Sequence, residues 1–374
     1  MMKRTKIKPT LSRVKQVLDY KPKFINADCV HALAEMSASS VDSCIVDPPY
    51  GLGIHGLEWD TGVFNASVWS QVLRVAKPGC HLLAFGSTRK FHRLVTSIED
   101  SGWEIRDTLG WIYATGLPKN FNISKGIDKF RRRDFIEAAM KMGIQIPGNS
   151  LHDWTKSTHA PSDKWWAEFK KFITPEQWIS VERKVIGTRN KGKAIFGSCD
   201  GEYEITESKH PDARRWDGFG TALKPCWEPI SLARKPVEGS VVMNVLDHGT
   251  GGLNIDGCRF DGKFPTNIVN DGDTGIFTEN VSRFFYCPKP SKIERQGNTH
   301  PTIKPVELMR WLCRLITPPG GTVLDIASGS GTTGIASYLE GFNSILIERD
   351  GVTFLEGKKR FANYVRSHNG PDKI

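Results

Sequence analysis

The chain has 374 residues, is 39% hydrophobic, and carries 51 Lys and Arg against 41 Asp and Glu, a net charge of +10. That length accommodates an apolar core plus a second module, and a charged fraction of 25% is that of an ordinary globular chain, which excludes a disordered polyelectrolyte. No apolar run approaches the roughly 18–20 residues that span a bilayer, and none follows the basic stretch Met1 to Pro9, so a cytoplasmic protein without a signal peptide is expected. The basic excess suits a polyanionic partner. The 8 cysteines form no C-x-x-C pair and accompany no His cluster, so neither a metal site nor a disulfide framework is expected.

In chain order, residues 22–115 alternate short apolar runs with helical patterns: Val41 to Val46 as a strand, Trp69 to Val75 as a helix, His81 to Phe85 as a strand, Lys90 to Ser101 as a helix. Alternation of this kind predicts an α/β domain with a mostly parallel sheet. Across residues 116–215 the alternation stops, and 19 Lys and Arg stand against 13 Asp and Glu. Trp154, Trp165, Trp166 and Trp178 fall here, as does the basic run Lys129 to Arg133. Residues 216–300 begin with a strand-like run, Trp227 to Ala233, followed by the Gly-rich Gly249 to Gly252, and the α/β texture returns in residues 301–362, with Pro305 to Ile316 as a helix. Thr322 to Ala327 and Ser344 to Ile347 follow as strands, Thr332 to Glu340 and Val352 to Val365 as helices. The expected fold is therefore a Rossmann-like, doubly wound, mostly parallel sheet made from residues 22–115 and 216–365. Residues 116–215 are inserted into it, and 1–21 and 366–374 are peripheral tails.

The strand Thr322 to Ala327 runs directly into Ser328, Gly329, Ser330, Gly331 and Thr332, and then into a helix. A glycine turn between strand and helix lets a ligand approach the backbone and directs the free N–H groups of the helix start at it. Gly329 to Gly334 reads G-x-G-x-x-G, and Glu348 ends the next strand, where a carboxylate accepts hydrogen bonds from the two hydroxyls of a ribose. Two adenosine-bearing ligands satisfy this pattern, NAD and S-adenosylmethionine, and the loop alone does not choose between them.

Asp47-Pro48-Pro49-Tyr50 follows the strand Val41 to Val46 and breaks into Gly51-Leu52-Gly53. The two prolines make the turn extended and rigid. It then offers a carboxylate, the carbonyl of Pro48 and an aromatic ring on one loop. An amino group on a heterocycle is a poor nucleophile because its lone pair is shared with the ring. Asp47 and the Pro48 carbonyl can accept its two hydrogens and favour a pyramidal nitrogen. Tyr50 can stack on the base for about 1–3 kcal/mol, which offsets much of the few kcal/mol needed to swing that base out of a duplex. Both loops leave the carboxyl ends of strands, so in one parallel sheet they open into one crevice.

These motifs resemble the DNA amino-methyltransferases, in particular the permuted group in which the catalytic motif precedes the cofactor motif, including adenine-specific members of phage and prophage type. The resemblance covers nearly the whole chain outside the insert. It implies a methyltransferase fold that uses S-adenosylmethionine, Asp47, Pro48, Pro49 and Tyr50 as the catalytic motif, and the loop Asp325 to Thr333 with Glu348 around the cofactor. Asn26-Ala27-Asp28-Cys29 matches the segment whose acid, here Asp28, contacts the cofactor's adenine. Lys77-Pro78-Gly79 and His81 to Gly86 match the helix end and strand that follow the catalytic motif. His300 to Pro305 matches the motif that brings its Thr302 and Lys304 to the cofactor's methionine end. Two positions depart from the pattern: Asp325-Ile326-Ala327 stands for a frequent Asp-Pro-Phe, and Ile303 for a frequent Gln. The Asp of the tetrapeptide favours the N6 amine of adenine, because cytosine N4 enzymes more often carry Ser there. Cytosine N4 methylation is the alternative in the same class. An NAD-dependent dehydrogenase leaves Asp47 to Tyr50 unexplained, and a catalytically silent DNA-binding protein leaves every catalytic side chain without a use.

The insert 116–215 is expected to bind double-stranded DNA. Arg131, Arg132, Arg133, Lys191 and Lys193 are candidate phosphate contacts, which position a duplex without reading it. Trp111 and Tyr113, in the run Leu109 to Ala114, are candidates for holding the extruded base, with a strand core as the other reading. A monomer or homodimer fits equally well.

Overall fold

The computed structural model describes residues 22–53, 62–113, 120–141, 166–167, 170–172, 174, 183–190, 202–260, 262–270, 289–298, 300 and 302–369. The chain divides into two compact units, one from residues up to 114 and from 226 onward, the other from 115–225.

In the first unit the order is β1 (Pro22–Asn26), α1 (Cys29–Ala34), β2 (Val41–Val46), α2 (Ala66–Val75), β3 (Ala76–Phe85), α3 (Phe91–Asp100) and β4 (Glu104–Ile112). The second unit contributes α4 (Ile123–Lys141), the antiparallel pair β5 (Arg183–Asn190) and β6 (Glu202–Ser208), and α5 (Pro211–Arg214). The first unit resumes with β7 (Trp227–Arg234), α6 (Val241–His248), β8 (Ile268–Asn270), α7 (Lys292–Arg295) and α8 (Val306–Ile316). It ends with β9 (Thr322–Asp325), α9 (Thr332–Glu340), β10 (Asn343–Glu348) and α10 (Gly351–Asn369).

The first unit holds an 8-stranded sheet in the order β1-β10-β9-β2-β3-β7-β4-β8. All neighbours are parallel except β7, which runs antiparallel to both β3 and β4. The expected α/β, mostly parallel fold is the one observed. Alternating side chains feed two cores, one on each face of the sheet. Ile45, Leu83, Phe85 and Val323 pack with Leu308, Met309 and Leu312 of α8. Cys44, Val46, Leu82 and Leu324 pack with Trp69 and Val72 of α2 and with Leu94 and Ile98 of α3. Covered on both faces, β2 is buried at every residue. Its two polar side chains, Asp42 and Ser43, are both hydrogen-bonded, as burial requires.

Chain direction reverses its winding between β9 and β2, which are parallel neighbours paired at Ser43 with Val323 and Cys44 with Leu324. Asp42 pins this junction from below: Oδ1 pairs with Lys77 at 2.6 Å and Oδ2 accepts from the Thr322 N–H at 2.8 Å. A reversal in strand order opens a crevice at the carboxyl ends of the two strands, the usual ligand position in such sheets.

The second unit extends ten residues beyond the border at 215 expected from sequence texture. Backbone and side-chain bonds explain the difference: the Ile123 N–H donates to the Phe219 carbonyl at 3.1 Å, and Asn120 Oδ1 accepts from the Thr221 N–H at 2.8 Å. Its interior is partly ionic. The Arg183 guanidinium pairs with Asp128 at 2.5 Å and bonds Ser124 at 2.9 Å, while Ser208 donates to the other oxygen of Asp128 at 2.7 Å.

Among the described residues no helix is long and apolar enough to cross a membrane, and no group of three or more His, Cys, Asp and Glu is placed to hold a metal.

Candidate active site

A cavity of about 830 Å³ opens at the β9–β2 reversal, at the upper end of the range usual for small-molecule sites. Its wall includes Asp47 to Tyr50 from the loop after β2, Ser328 to Ser330 and Thr332 from the loop after β9, Glu348 at the end of β10, and Asp28 at the start of α1. His300, Thr302 and Lys304, from the segment entering α8, complete it. Two turns nearly three hundred residues apart in sequence thus share one pocket, because β2 and β9 are adjacent and in register.

The glycine turn is built by backbone geometry. Gly329 and Gly331 have φ of +47° and +73°, a region that costs other residues about 1–2 kcal/mol. Gly331 also lies against the backbone of α10, where an added Cβ would stand 3.1 Å from the Gly357 carbonyl. Gly334 admits the Leu346 side chain, so α9 lies close on β10. Glu348 ties the turn to the next loop: Oε2 accepts from the Gly329 N–H and Oε1 from the Asp350 N–H, each at 2.9 Å. Asp28 caps α1 through a 2.9 Å bond from the Val30 N–H. Gly331→Ala is expected to weaken cofactor binding by about tenfold, the equivalent of about 1.4 kcal/mol of loop strain. Titration calorimetry reads that change, and wild-type affinity in the variant would speak against the turn's role.

Asp325 is 3% exposed and faces inward, accepting from the Thr333 hydroxyl at 2.5 Å and the Ala327 N–H at 3.1 Å. Burial pushes its carboxyl up to about 7, against the pull of those two bonds. A carboxyl raised in the folded state adds stability that is complete below its unfolded pKa and is lost as pH rises through about 7. Asp325→Asn should therefore flatten the loss of stability between about pH 4 and 7. Thermal unfolding across that range checks it, and an unchanged slope contradicts it.

At the other wall, Lys304 is 6% exposed and its ammonium lies 2.6 Å from Asp47 Oδ2, 3.3 Å from the Tyr50 hydroxyl and 3.4 Å from Glu228 Oε2. It also stands 4.8 Å from the centre of the Phe85 ring, within cation–π range. The Tyr50 hydroxyl is 3.0 Å from Asp47 Oδ1 and 3.2 Å from Glu228 Oε2, and Tyr113 donates to Glu228 Oε1 at 3.2 Å. Burial pushes the Asp47 carboxyl up while Lys304 pulls it down, and the net direction is upward. Burial opposes the Lys304 charge, but Asp47 and Glu228 outweigh it and hold the ammonium above its ordinary range. Burial raises the Tyr50 phenol well above its usual range, with Asp47 and Glu228 adding to it. Among the described residues the Pro48 carbonyl receives no hydrogen bond.

Two site residues escaped the sequence reading. Glu228 is the one acid of a mostly apolar strand, and that isolation is its signal. Because β7 runs antiparallel, its first residues lie beside the carboxyl end of β4, with Glu228 paired to Trp111. Arg360 of α10 is 1% exposed and supports the glycine turn from behind, donating to the Ser330 carbonyl at 3.1 Å and the Thr332 hydroxyl at 2.7 Å. A single Arg inside a charged helix pattern gave no hint of this.

The DNA-contact expectations fare differently. Trp111 and Tyr113 are 1% and 3% exposed, packed at 4.9 Å within the core, so neither offers a free face to a duplex. The strand-core reading is the observed one, and Tyr113 reaches the site through its hydroxyl. Arg132 corrects a phosphate-contact expectation: it is 8% exposed and its guanidinium sits 5.3 Å from the centre of the buried Trp166 ring. Helix α4 turns that side chain toward its own unit. Arg131 is half-buried; the side chain of Arg133, together with Lys191 and Lys193, lies outside the described residues.

The DNA methylase family model matches residues 41–352, which contain both turns and the Lys304 segment. The chain belongs to the DNA methylase family. The methyl donor of this family is S-adenosylmethionine, so the NAD alternative falls. Among solved structures, the M1.HpyAVI–SAM complex is 14% identical, covering 90% of this methylase and 98% of that chain with a TM-score of 0.45. The TTHA0409 protein of Thermus thermophilus, complexed with S-adenosyl-L-methionine, is 15% identical over 92% of this methylase and 94% of that chain, with a TM-score of 0.44. The PvuII DNA methyltransferase, cytosine-N4-specific, is 13% identical over 94% and 96%, with a TM-score of 0.46. The donor set of the cavity fits the methyl donor. The Glu348 and Asp28 carboxylates suit an adenosine's hydroxyl and amino hydrogens, and the surplus of acids suits a cation.

Proposed function

We propose that this methylase transfers a methyl group to the exocyclic N6 amine of an adenine swung out of double-stranded DNA. The observation that carries the reading is that Asp47 and the Ser328–Ser330 turn line a single cavity. When bound, S-adenosylmethionine supplies a methyl group on a cationic sulfur. Glu348 and Asp28 would hold its adenosine end, and Thr302 and the backbone of the glycine turn its amino-acid end.

The rest is done by the chain. Asp47 and the Pro48 carbonyl accept the two hydrogens of the target amine and turn its lone pair outward. The Asp47 carboxylate then takes the proton that the methylated nitrogen releases. Tyr50 supplies a ring for the base to lie on, and the rigid Pro48-Pro49 turn fixes the distance of approach, the kind of positioning that accounts for a large part of such accelerations. Asp rather than Ser at position 47 favours adenine over cytosine. The unit 115–225, inserted between β4 and β7, is read as the part that engages the duplex.

Modification-sensitive sequencing of DNA from cells that express the protein tests this. N6-methyladenine at a recurring sequence is the expected outcome, and a recurring N4-methylcytosine would replace adenine with cytosine as the substrate.

A further inference from the structure

We propose that Glu228 is a positioning residue for the amino-methyl transfer: its carboxylate shares the Lys304 ammonium and the Tyr50 hydroxyl hydrogen with Asp47, and so keeps Asp47 available to the target amine. The inference rests on the reading of Asp47 given above.

Counting hydrogens carries it. The Tyr50 hydroxyl has one hydrogen and two carboxylate oxygens within reach, Asp47 Oδ1 at 3.0 Å and Glu228 Oε2 at 3.2 Å. The Lys304 ammonium has three hydrogens and three acceptors, Asp47 Oδ2 at 2.6 Å, the Tyr50 oxygen at 3.3 Å and Glu228 Oε2 at 3.4 Å. With Glu228 in place, a turn of the Tyr50 hydroxyl moves its hydrogen from one carboxylate to the other over nearly equal distances. Asp47 Oδ1 is then released for the incoming amine at little cost. Without Glu228, the Tyr50 hydrogen is left with Asp47 Oδ1 as its carboxylate acceptor, while Lys304 holds Oδ2 as before, so both oxygens are occupied. Glu228 is itself held in place, because the Tyr113 hydroxyl binds its other oxygen at 3.2 Å.

Charge adds a second consequence. The groups that face Asp47 are Lys304 from the segment entering α8, Tyr50 from its own loop, Glu228 from β7 and Asp325 from β9. Behind Glu228 stand Tyr113 and Lys289, whose ammonium lies 4.0 Å from the centre of the Tyr113 ring. The Glu228 charge raises the basicity of Asp47, and a more basic carboxylate accepts amine hydrogens and the released proton better. Neutralising Glu228 leaves Asp47 less basic, and because an amide oxygen draws the Tyr50 hydrogen less strongly than a carboxylate, more of that hydrogen stays on Asp47.

The test is Glu228→Gln in the full-length protein, with single-turnover methylation of duplex DNA followed across pH, and S-adenosylmethionine affinity measured alongside. The expected result is a methyl-transfer rate lower by about tenfold or more, cofactor affinity within about twofold of wild type, and an acid limb of the rate profile displaced to lower pH. A merely structural role would not move that limb. A wild-type rate with an unmoved limb overturns the proposal. If Glu228→Gln does not fold, Tyr113→Phe decides, since it removes only the hydroxyl that holds Glu228. A several-fold slower turnover at unchanged cofactor affinity supports the role, and a wild-type rate overturns it. Wild-type protein run in parallel separates the two layers of inference. If wild type methylates no amino group, the Asp47 reading fails with everything built on it; if it does and Glu228→Gln is unaffected, only the role of Glu228 fails.

Discussion

Replacing Asp47 with alanine is expected to abolish methyl transfer, a loss of about a thousandfold or more, while DNA binding stays near wild type. The size follows from what leaves. In the proposed mechanism Asp47 provides one of the two acceptors that pyramidalise the amine, and it takes the proton afterwards. Preorganised groups aimed at developing charge are each worth about 10²–10³ in rate, and the loss of the proton acceptor adds to that. The fold should tolerate the change, because Lys304 keeps Glu228 as a partner at 3.4 Å and the Phe85 ring at 4.8 Å. Single-turnover assays with fluorescence anisotropy on the same duplex separate the two readouts. Methylation near the wild-type rate in this variant would remove Asp47 from the mechanism.

Lys304→Met is expected to cost stability as well as activity. The ammonium is 6% exposed and stands between two carboxylates whose side chains are 20% and 16% exposed. Breaking a buried ion pair by removing one partner typically costs about 3–5 kcal/mol, because the remaining charges stay buried without compensation. Here two like charges are left facing each other, and about 3 kcal/mol is the expected loss. The sign with pH follows. With the ammonium gone, protonating Asp47, whose carboxyl burial already holds above its ordinary range, relieves both the burial and the repulsion, so the deficit shrinks as pH falls from neutral toward acid. Denaturant unfolding at neutral and acid pH measures it. A deficit under about 1 kcal/mol that does not change with pH would mean that Lys304 is a solvated neighbour rather than the centre of the network.

Much of this site is legible in the sequence, for local reasons. Asp47 to Tyr50 and Ser328 to Thr332 each follow a buried strand closely, and the backbone needs of a tight turn are written in adjacent residues. Val41 to Val46 is both the expected and the observed strand, since the Pro-Pro turn that stops it begins two residues beyond its end. The rest depends on contacts far apart in sequence. Glu228 enters the site only because β7 runs against its neighbours, and nothing within Trp227 to Arg234 encodes that direction. Trp111 and Tyr113 read equally well as a base platform or as core, and the choice fell to residues more than a hundred positions away that cover them. Arg132 looked like part of a phosphate-binding run until Trp166 supplied a ring for its guanidinium. The border at 225 rather than 215 is set by bonds from Asn120 and Ile123, again distant partners.

The most direct test of the central claim is nucleoside mass spectrometry of duplex DNA incubated with the purified protein and isotopically labelled S-adenosylmethionine. Labelled N6-methyladenine from wild type, and none from Asp47→Ala, is the result expected of two turns working in one pocket. Equal label in both proteins, or no labelled nucleoside from wild type, would contradict it.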